Sequence, residues 1–244
     1  MIKVVGSSQI GLVRKTNQDK YVILNNESQQ IHAFMVLDGV GGSKAGDVAS
    51  ATVSVLFKDA FNNIELIKDY QHLKKWTHQV MININDELYR LAHMKNQFHG
   101  MSTTCILVLI SPWGNFYVNI GDSRLYMIDL NDQLVQLSTD HSLVNDLILQ
   151  GNISQEEANS HPMRHAVTNA LGIYNKLRCD IVDIQLPFKL LMLCSDGVSG
   201  YVEHDIINEI LCEPIDLEAR KHKLNQAVLK TGAYDNFTFI LWEI

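Results

Sequence analysis

Five aspartates in this chain stand where apolar runs begin or end. Asp38 closes the run Ile31 to Leu37 and is followed by Gly39-Val40-Gly41-Gly42. Asp122 comes directly after an apolar segment that ends at Ile120-Gly121, and Asp196 ends the run Leu190-Leu191-Met192-Leu193-Cys194-Ser195. Asp235 precedes the closing apolar segment, and Asp19 lies in Arg14-Lys15-Thr16-Asn17-Gln18-Asp19 between two short strand-like runs. Taken singly, each reads as an acid leaving the core, and Asp-Gly is a common turn pair. Delivered together by separate strand ends, they describe a convergent cluster. Such a cluster stays ionised only with cations among its members, because like charges raise one another's pKa. Oxygen donors with no His or Cys partner favour a hard divalent ion, Mg²⁺ or Mn²⁺.

The glycine-rich stretch 36–50, VLDGVGGSKAGDVAS, sits between a strand-like run and a helix, where loops often cradle phosphate. It fails both common phosphate patterns. A P-loop needs Lys followed by Ser or Thr, but Lys44 precedes Ala45, and Lys44 also fills the place of the third dinucleotide-fold glycine. The loop leads with an anion, so it would repel phosphate unless a cation stood between them. On this reading the glycines leave room for hydrated ions, with the Gly39 carbonyl in reach of one.

The elements that must position these acids are short strands and amphipathic helices. Strands are expected at Lys3–Ser7, Lys20–Leu24 and Ile31–Leu37, followed by helices over Gly46–Phe61 and about Ile64 to Met94. Next come a meander over Thr103–Ile110, Asn115–Ile120, Arg124–Leu130 and Gln133–Leu137, and helical patches near Leu143–Gln150 and Ser154–Asn159. Strands at Arg178–Gln185 and Lys189–Ser195, helices near Glu203–Cys212 and Leu217–Lys230, and a strand at Asn236–Glu243 complete the chain. Strict strand–helix alternation is absent, which points to a sheet-rich core overlaid by helices and away from a doubly wound parallel sheet.

Bulk properties narrow the field. The 244 residues are 46% hydrophobic and 19% charged, with four prolines and no low-complexity linker, as expected for one globular domain over 1–244. No run is long enough for a membrane span, and the N-terminus lacks the apolar region of a secretion signal. A formal net charge of −7 argues against a nucleic-acid partner. Cys105, Cys179, Cys194 and Cys212 form no CxxC pair and read as reduced thiols, suited to the cytoplasm.

The sequence resembles the bacterial metal-dependent protein phosphatases, the PPM or PP2C family, which act on phosphoserine and phosphothreonine. The resemblance rests on GLVRKTNQD (11–19), VLDGVGGSKAGDVAS (36–50), MSTT (101–104) and VNIGDSRLYMI (118–128). It continues through LSTDHSL (137–143), HPMRHAVTNALG (161–172), LLMLCSDGVSGYV (190–202) and DNFTF (235–239), almost the whole chain. It implies an α+β fold, a central sandwich of two antiparallel β-sheets flanked by helices. It implies two Mn²⁺ or Mg²⁺ ions bridged by Asp38, with the Gly39 carbonyl on one and Asp196 and Asp235 completing the other. Asp19 would lie beside the pair, and Asp122 with Asp196 would match a third-ion site. Arg14 would hold the substrate phosphate, a planar fork that lysine cannot reproduce. The segment from about 142 to 163 would be a mobile flap. The implied reaction is in-line attack on phosphorus by a metal-bridging hydroxide, without a phospho-enzyme.

Further implications are a monomer acting on phosphoproteins made by a cognate Ser/Thr kinase, with neither nucleic acid nor membrane as partner. Many eukaryotic relatives carry a histidine, assigned as general acid, after the first Asp-Gly; Val40 stands there. His32, His141, His161 or a metal-bound water remain open for that role. Two other readings do without the chemistry. One is a catalytically silent phosphoprotein-binding regulator, which loss of a metal acid would mark. The other is a structural Ca²⁺ cage, which would leave Arg14 unexplained.

Overall fold

The computed structural model describes residues 3–40, 45–94, 98–185 and 187–243. Its strands in chain order are β1 (Lys3–Gln9), β2 (Lys20–Asn26), β3 (Ile31–Leu37), β4 (Gly39–Val40), β5 (Ser102–Thr103) and β6 (Cys105–Ser111). They continue as β7 (Gly114–Ile120), β8 (Arg124–Asp129), β9 (Leu134–Gln136), β10 (Asp180–Asp183), β11 (Phe188–Cys194) and β12 (Phe237–Glu243). The helices are α1 (Gly46–Asn62), α2 (Tyr70–Met94), α3 (Leu143–Leu149), α4 (Gln155–Ser160), α5 (Asp196–Ser199), α6 (His204–Cys212) and α7 (Leu217–Lys230).

The strands form two five-stranded antiparallel sheets, in the orders β1-β12-β11-β8-β9 and β10-β7-β6-β3-β2. The sheets stack face to face. Phe34, Val36, Ile106 and Val108 of one meet Leu125, Leu191, Ile240 and Trp242 of the other. Side chains alternate across a strand, so Ala33, Met35 and Leu37 of β3 point to the opposite face, where α1 and α2 cover them with Phe57, Phe61, Leu73 and Met81. Burial on both faces is why β3 reads as an unbroken apolar run and not as alternation. The other sheet is covered the same way by α6 and α7, through Ile207, Leu211, Leu224 and Val228 against Met192, Phe237 and Phe239. The result is the α-β-β-α sandwich that the motifs implied.

One boundary differs from expectation. Residues 64–69 do not join α2, although their apolar residues continue its pattern. The Ile67 N–H is captured by the Gln29 side chain at 2.7 Å, and the Asp69 carboxylate takes the His72 N–H at 2.8 Å. Asp69 thus offers a helix start that the run before it cannot override. All four cysteines are free thiols, with Cys105 and Cys194 buried. Among the described residues, no helix is long and apolar enough to cross a membrane.

Register explains why the acids share one end. Lys20 at the start of β2 faces Leu37 at the end of β3, and Cys105 at the start of β6 faces Ile120 at the end of β7. In the other sheet, Cys194 at the end of β11 faces both Phe239 of β12 and Arg124 of β8. The loops holding Asp19, Asp38, Asp122, Asp196 and Asp235 therefore all leave the same edge of the sandwich.

Candidate active site

Each acid-bearing loop is tied to its neighbours by buried hydrogen bonds. The Asp38 carbonyl accepts from the Thr104 N–H at 2.8 Å and the Thr103 hydroxyl at 2.9 Å, while the Asp38 N–H donates to Thr104 Oγ1 at 3.1 Å. Thr104 Oγ1 in turn bonds Ser123 Oγ at 2.7 Å. This links the Asp38 loop to the Asp122 loop. Gly121, at φ +113°, completes the link, since a Cβ there would meet Thr104 at 2.7 Å.

A second knot joins the other acids. The Ser195 hydroxyl donates to Asp19 Oδ2 at 2.7 Å and also accepts the Thr238 N–H at 3.0 Å. Asn236 is nearly fully buried; its amide donates to the Ile10 and Thr16 carbonyls at 2.8 and 3.0 Å and accepts the Gln18 N–H at 2.9 Å. One side chain thereby fastens the whole Arg14–Asp19 loop to the Asp235 turn. Gly197 makes this possible, because a Cβ there would stand 1.8 Å from the Asn236 carbonyl. Arg14 Nη2 lies 2.6 Å from Asp235 Oδ2.

The carboxyl groups feel one another strongly. Asp38 is pushed well above the usual carboxylate range, first by desolvation, then by the charges of Asp19, Asp196 and Asp122, and by a hydrogen bond with Asp196. Burial raises Asp19 to about 7, opposed by its Ser195 bond and reinforced by Asp196 and Asp235. Burial and the Asp196 charge push Asp122 up to about 8. These mutual effects place Asp19, Asp38, Asp122, Asp196 and Asp235 in a single electrostatic neighbourhood, as their strand-end positions foretold. Beside them opens a cleft of roughly 800 Å³ that Asp122, Arg124, Ser142, Arg164, His165 and Asp196 help to line.

The glycine at 39 also serves close backbone packing, since a Cβ would stand 2.2 Å from the Gly46 carbonyl and 2.8 Å from that of Gln18. Gly41, Gly42 and Lys44 lie outside the described residues. Of the histidines weighed for the proton, His32 is six residues along an extended strand from Asp38, roughly 20 Å away. His141 is 2% exposed, and its ring accepts the Gly121 N–H at Nδ1 and bonds Asp180 through Nε2 at 2.9 Å. It is committed to structure. His161 caps α4 and accepts the Met163 N–H. The histidine brought to the acids is His165, whose Nδ1 is 3.9 Å from Asp196 Oδ2 and whose pKa is raised chiefly by that carboxylate. Nothing in its spacing singled it out among ten histidines.

A model of the protein phosphatase 2C family matches residues 11–230. The chain belongs to that family. It is a PP2C protein phosphatase, similar to the serine/threonine phosphatase Stp of Listeria innocua, with 32% identity over 96% of this chain and 92% of the relative. It is 29% identical to the protein phosphatase PhpP of Streptococcus pneumoniae, over 96% of this chain and 94% of that one. Its fold matches the crystal structure of Stp1 from Staphylococcus aureus at TM-score 0.92 and 33% identity, covering 100% of this chain and 95% of that one. The Mycobacterium tuberculosis phosphatase PstP/Ppp matches at TM-score 0.82 and 27% identity, covering 100% and 98%.

PP2C phosphatases depend on metal ions, and the residues of this PP2C chain suit a hard divalent cation. Desolvation and mutual repulsion push Asp19, Asp38 and Asp122 above the ordinary carboxylate range, surroundings in which a cation would be favoured. Among the described residues, basic groups that act on the acids include Arg14, on Asp235, His165, beside Asp196, and Arg124, which opposes the rise at Asp122. Among the described residues, no three His, Cys, Asp or Glu side chains are grouped to hold an ion as they stand. The fit is therefore one of charge and donor chemistry, with the carboxyl groups still to be drawn onto a common point.

Proposed function

We propose that this PP2C phosphatase hydrolyses phosphoserine and phosphothreonine in proteins using Mn²⁺ or Mg²⁺ held by the strand-end acids. Asp38, with the Gly39 carbonyl, Asp196 and Asp235 hold the two core ions; Asp19 supports them, and Asp122 with Asp196 offers a third position. When bound, the ions supply a water of lowered pKa for in-line attack on phosphorus and neutralise phosphate charge. The observation that carries this reading is the convergence of five acids from five separate loops beside an exposed arginine.

The chain's own groups divide the remaining work. Arg14, half exposed and anchored by its loop to Asn236, presents a guanidinium to two oxygens of the incoming phosphate. His165, 3.9 Å from Asp196, is the side chain offered for protonating the departing alkoxide. The segment 142–163, with α3 and α4, forms the flap over the cleft, and Ser142, Ile148 and Ala158 line its near wall. The substrates are phosphoproteins, the products of a Ser/Thr kinase. The Listeria and Streptococcus relatives, named as phosphatases, support the same reaction class. All the expected acids are present, so nothing favours a silent binder.

The test is phosphate release from a phosphothreonine peptide by chelator-stripped protein, with and without added Mn²⁺, and with Asp196→Asn alongside. Release that requires metal and vanishes in the variant is the expected outcome. Folded, metal-loaded protein that releases no phosphate would sink the enzymatic reading.

A further inference from the structure

Single exposed apolar side chains are ordinary on a protein surface. One group of them is gathered on neighbouring segments. Ile10, Leu12 and Val13 are 40%, 68% and 59% exposed, and Tyr234 is 58% exposed. These residues belong to two segments that lie against each other. The Leu12 N–H donates to the Ala233 carbonyl at 2.9 Å, and the Asn236 amide donates to the Ile10 carbonyl at 2.8 Å. Gly11, at φ +78°, lets the backbones touch, since a Cβ there would meet the Asp235 and Ala233 carbonyls at 2.3 and 2.6 Å. Tyr234 extends the group to Tyr201, with ring centroids 6.1 Å apart.

The same two segments carry Arg14 and Asp235, joined at 2.6 Å. The apolar surface is thus built into the loop that presents the arginine. Solvating four large side chains there is unfavourable, and nothing in the packing of the two segments requires it. We propose that Leu12, Val13 and Tyr234 form a docking surface for the substrate polypeptide, receiving an apolar side chain next to the phosphorylated residue. The occupant is an extended phosphopeptide segment with leucine-like neighbours. Continuity with the phosphate-binding arginine chooses this occupant, because a chain whose phosphate reaches Arg14 has this apolar surface immediately beside it. The inference rests on the reading of Arg14 and the acids given above.

The test uses Mn²⁺-loaded full-length protein and three substrates: p-nitrophenyl phosphate, a phosphothreonine peptide flanked by glycine and serine, and a panel with leucine at each neighbouring position. Burial of one leucine in such a surface predicts a preference of about five- to tenfold in kcat/KM for the best leucine peptide, expressed in KM. Leu12→Asn and Tyr234→Asn should each remove most of that preference. Leu66→Asn, at a 74% exposed leucine elsewhere, should leave it intact. A wild-type protein indifferent to flanking residues, or a preference that survives both patch variants, overturns the proposal. So does a concentration-dependent dimer that Leu12→Asn dissociates, because the patch would then be covered by a second copy. Failure of the underlying reading looks different: the wild type would release no phosphate from any of the three substrates.

Discussion

The loops of the strand-end acids, two of which (Asp122 and Asp196) line the cleft, and the segment 142–163, which lines it too, are held in opposite ways. Every acid loop is fixed by short hydrogen bonds in buried surroundings, several of them bridging residues far apart in sequence, such as Ser195 to Asp19 and Asn236 to Thr16. The segment 142–163 is held mainly at its feet. Leu143 and Thr168 donate to the Ala166 and His141 carbonyls at 2.9 and 2.8 Å, and His141 locks that junction through Asp180 and Gly121. Between the feet, α3 has no buried residue and Leu149 is 70% exposed. Groups that must stay close together against their own repulsion are over-determined by the core. The segment 142–163, whose helix α3 buries no residue, costs less to rearrange.

The largest break in this contrast should come from the acids themselves. Asp196→Asn should lower kcat/KM for a phosphothreonine peptide by about a thousandfold, since metal catalysis supplies several kcal/mol of barrier reduction. The fold should survive, because the change removes a charge from a repulsive cluster. Near-normal activity in this variant would mean that the convergence of acids is structural. Arg14→Lys should cost less, about tenfold and mostly in KM, because it removes the planar fork but keeps the charge.

Stability should follow the same cluster. Burial and neighbouring charge raise Asp19 to about 7 and Asp122 to about 8 in the folded chain, from the ordinary aspartate value near 3.8. Between about pH 4 and pH 8 the native protein therefore binds protons that the unfolded chain has released. The sign follows from linkage: chelator-treated protein loses stability as pH rises through that window. Melts in EDTA should show Tm falling from pH 5 to pH 8. Mn²⁺ at a hundredfold its Kd should restore about 2.7 kcal/mol. A Tm that is flat or rises in EDTA would show that the acids do not repel one another in the folded state.

Much of this arrangement was legible in the chain. The acids sit at strand ends, and apolar runs such as Ile31–Leu37 announced the buried strands that carry them. The family motifs supplied the two-sheet sandwich and its flanking helices. What stayed hidden was the tethering. Asn236 and Ser195 look like ordinary polar residues at a strand boundary, and only a contact with residues more than 170 positions away reveals their work. The start of α2 was hidden for a related reason, because Gln29 takes the Ile67 N–H from a distant hairpin. The packing constraint on the glycine at 39 was hidden as well, because it comes from the Gly46 and Gln18 backbone and not from the acid beside it.

Asn236→Ala sharpens the comparison by loosening the rigid side without touching an acid. It abandons the Ile10 and Thr16 carbonyls and the Gln18 N–H in buried surroundings, a cost of about 1–3 kcal/mol. Activity should fall by about 10- to 100-fold, as when a residue that orients metal ligands is lost. The metal concentration for half-maximal activity should rise with it. A loss of stability with unchanged metal dependence would make Asn236 a packing residue only.

The smallest effect should come from the other side of the cleft. Ser154 and Glu157 form a reciprocal capping box at the start of α4, with the Ser154 N–H on Glu157 Oε2 at 2.7 Å and the Glu157 N–H on Ser154 Oγ at 3.2 Å. Ser154→Ala should cost this short helix about 1 kcal/mol. Because α3 and α4 add little to the core, that loss should stay local. Cleavage by a protease within 150–163 should speed up about fivefold, while the global Tm and the turnover of p-nitrophenyl phosphate stay within error. If Tm fell instead by several degrees, the segment would be part of the cooperative core. The division between a fixed set of acids and a loosely held flap would then fail at the point where it is drawn.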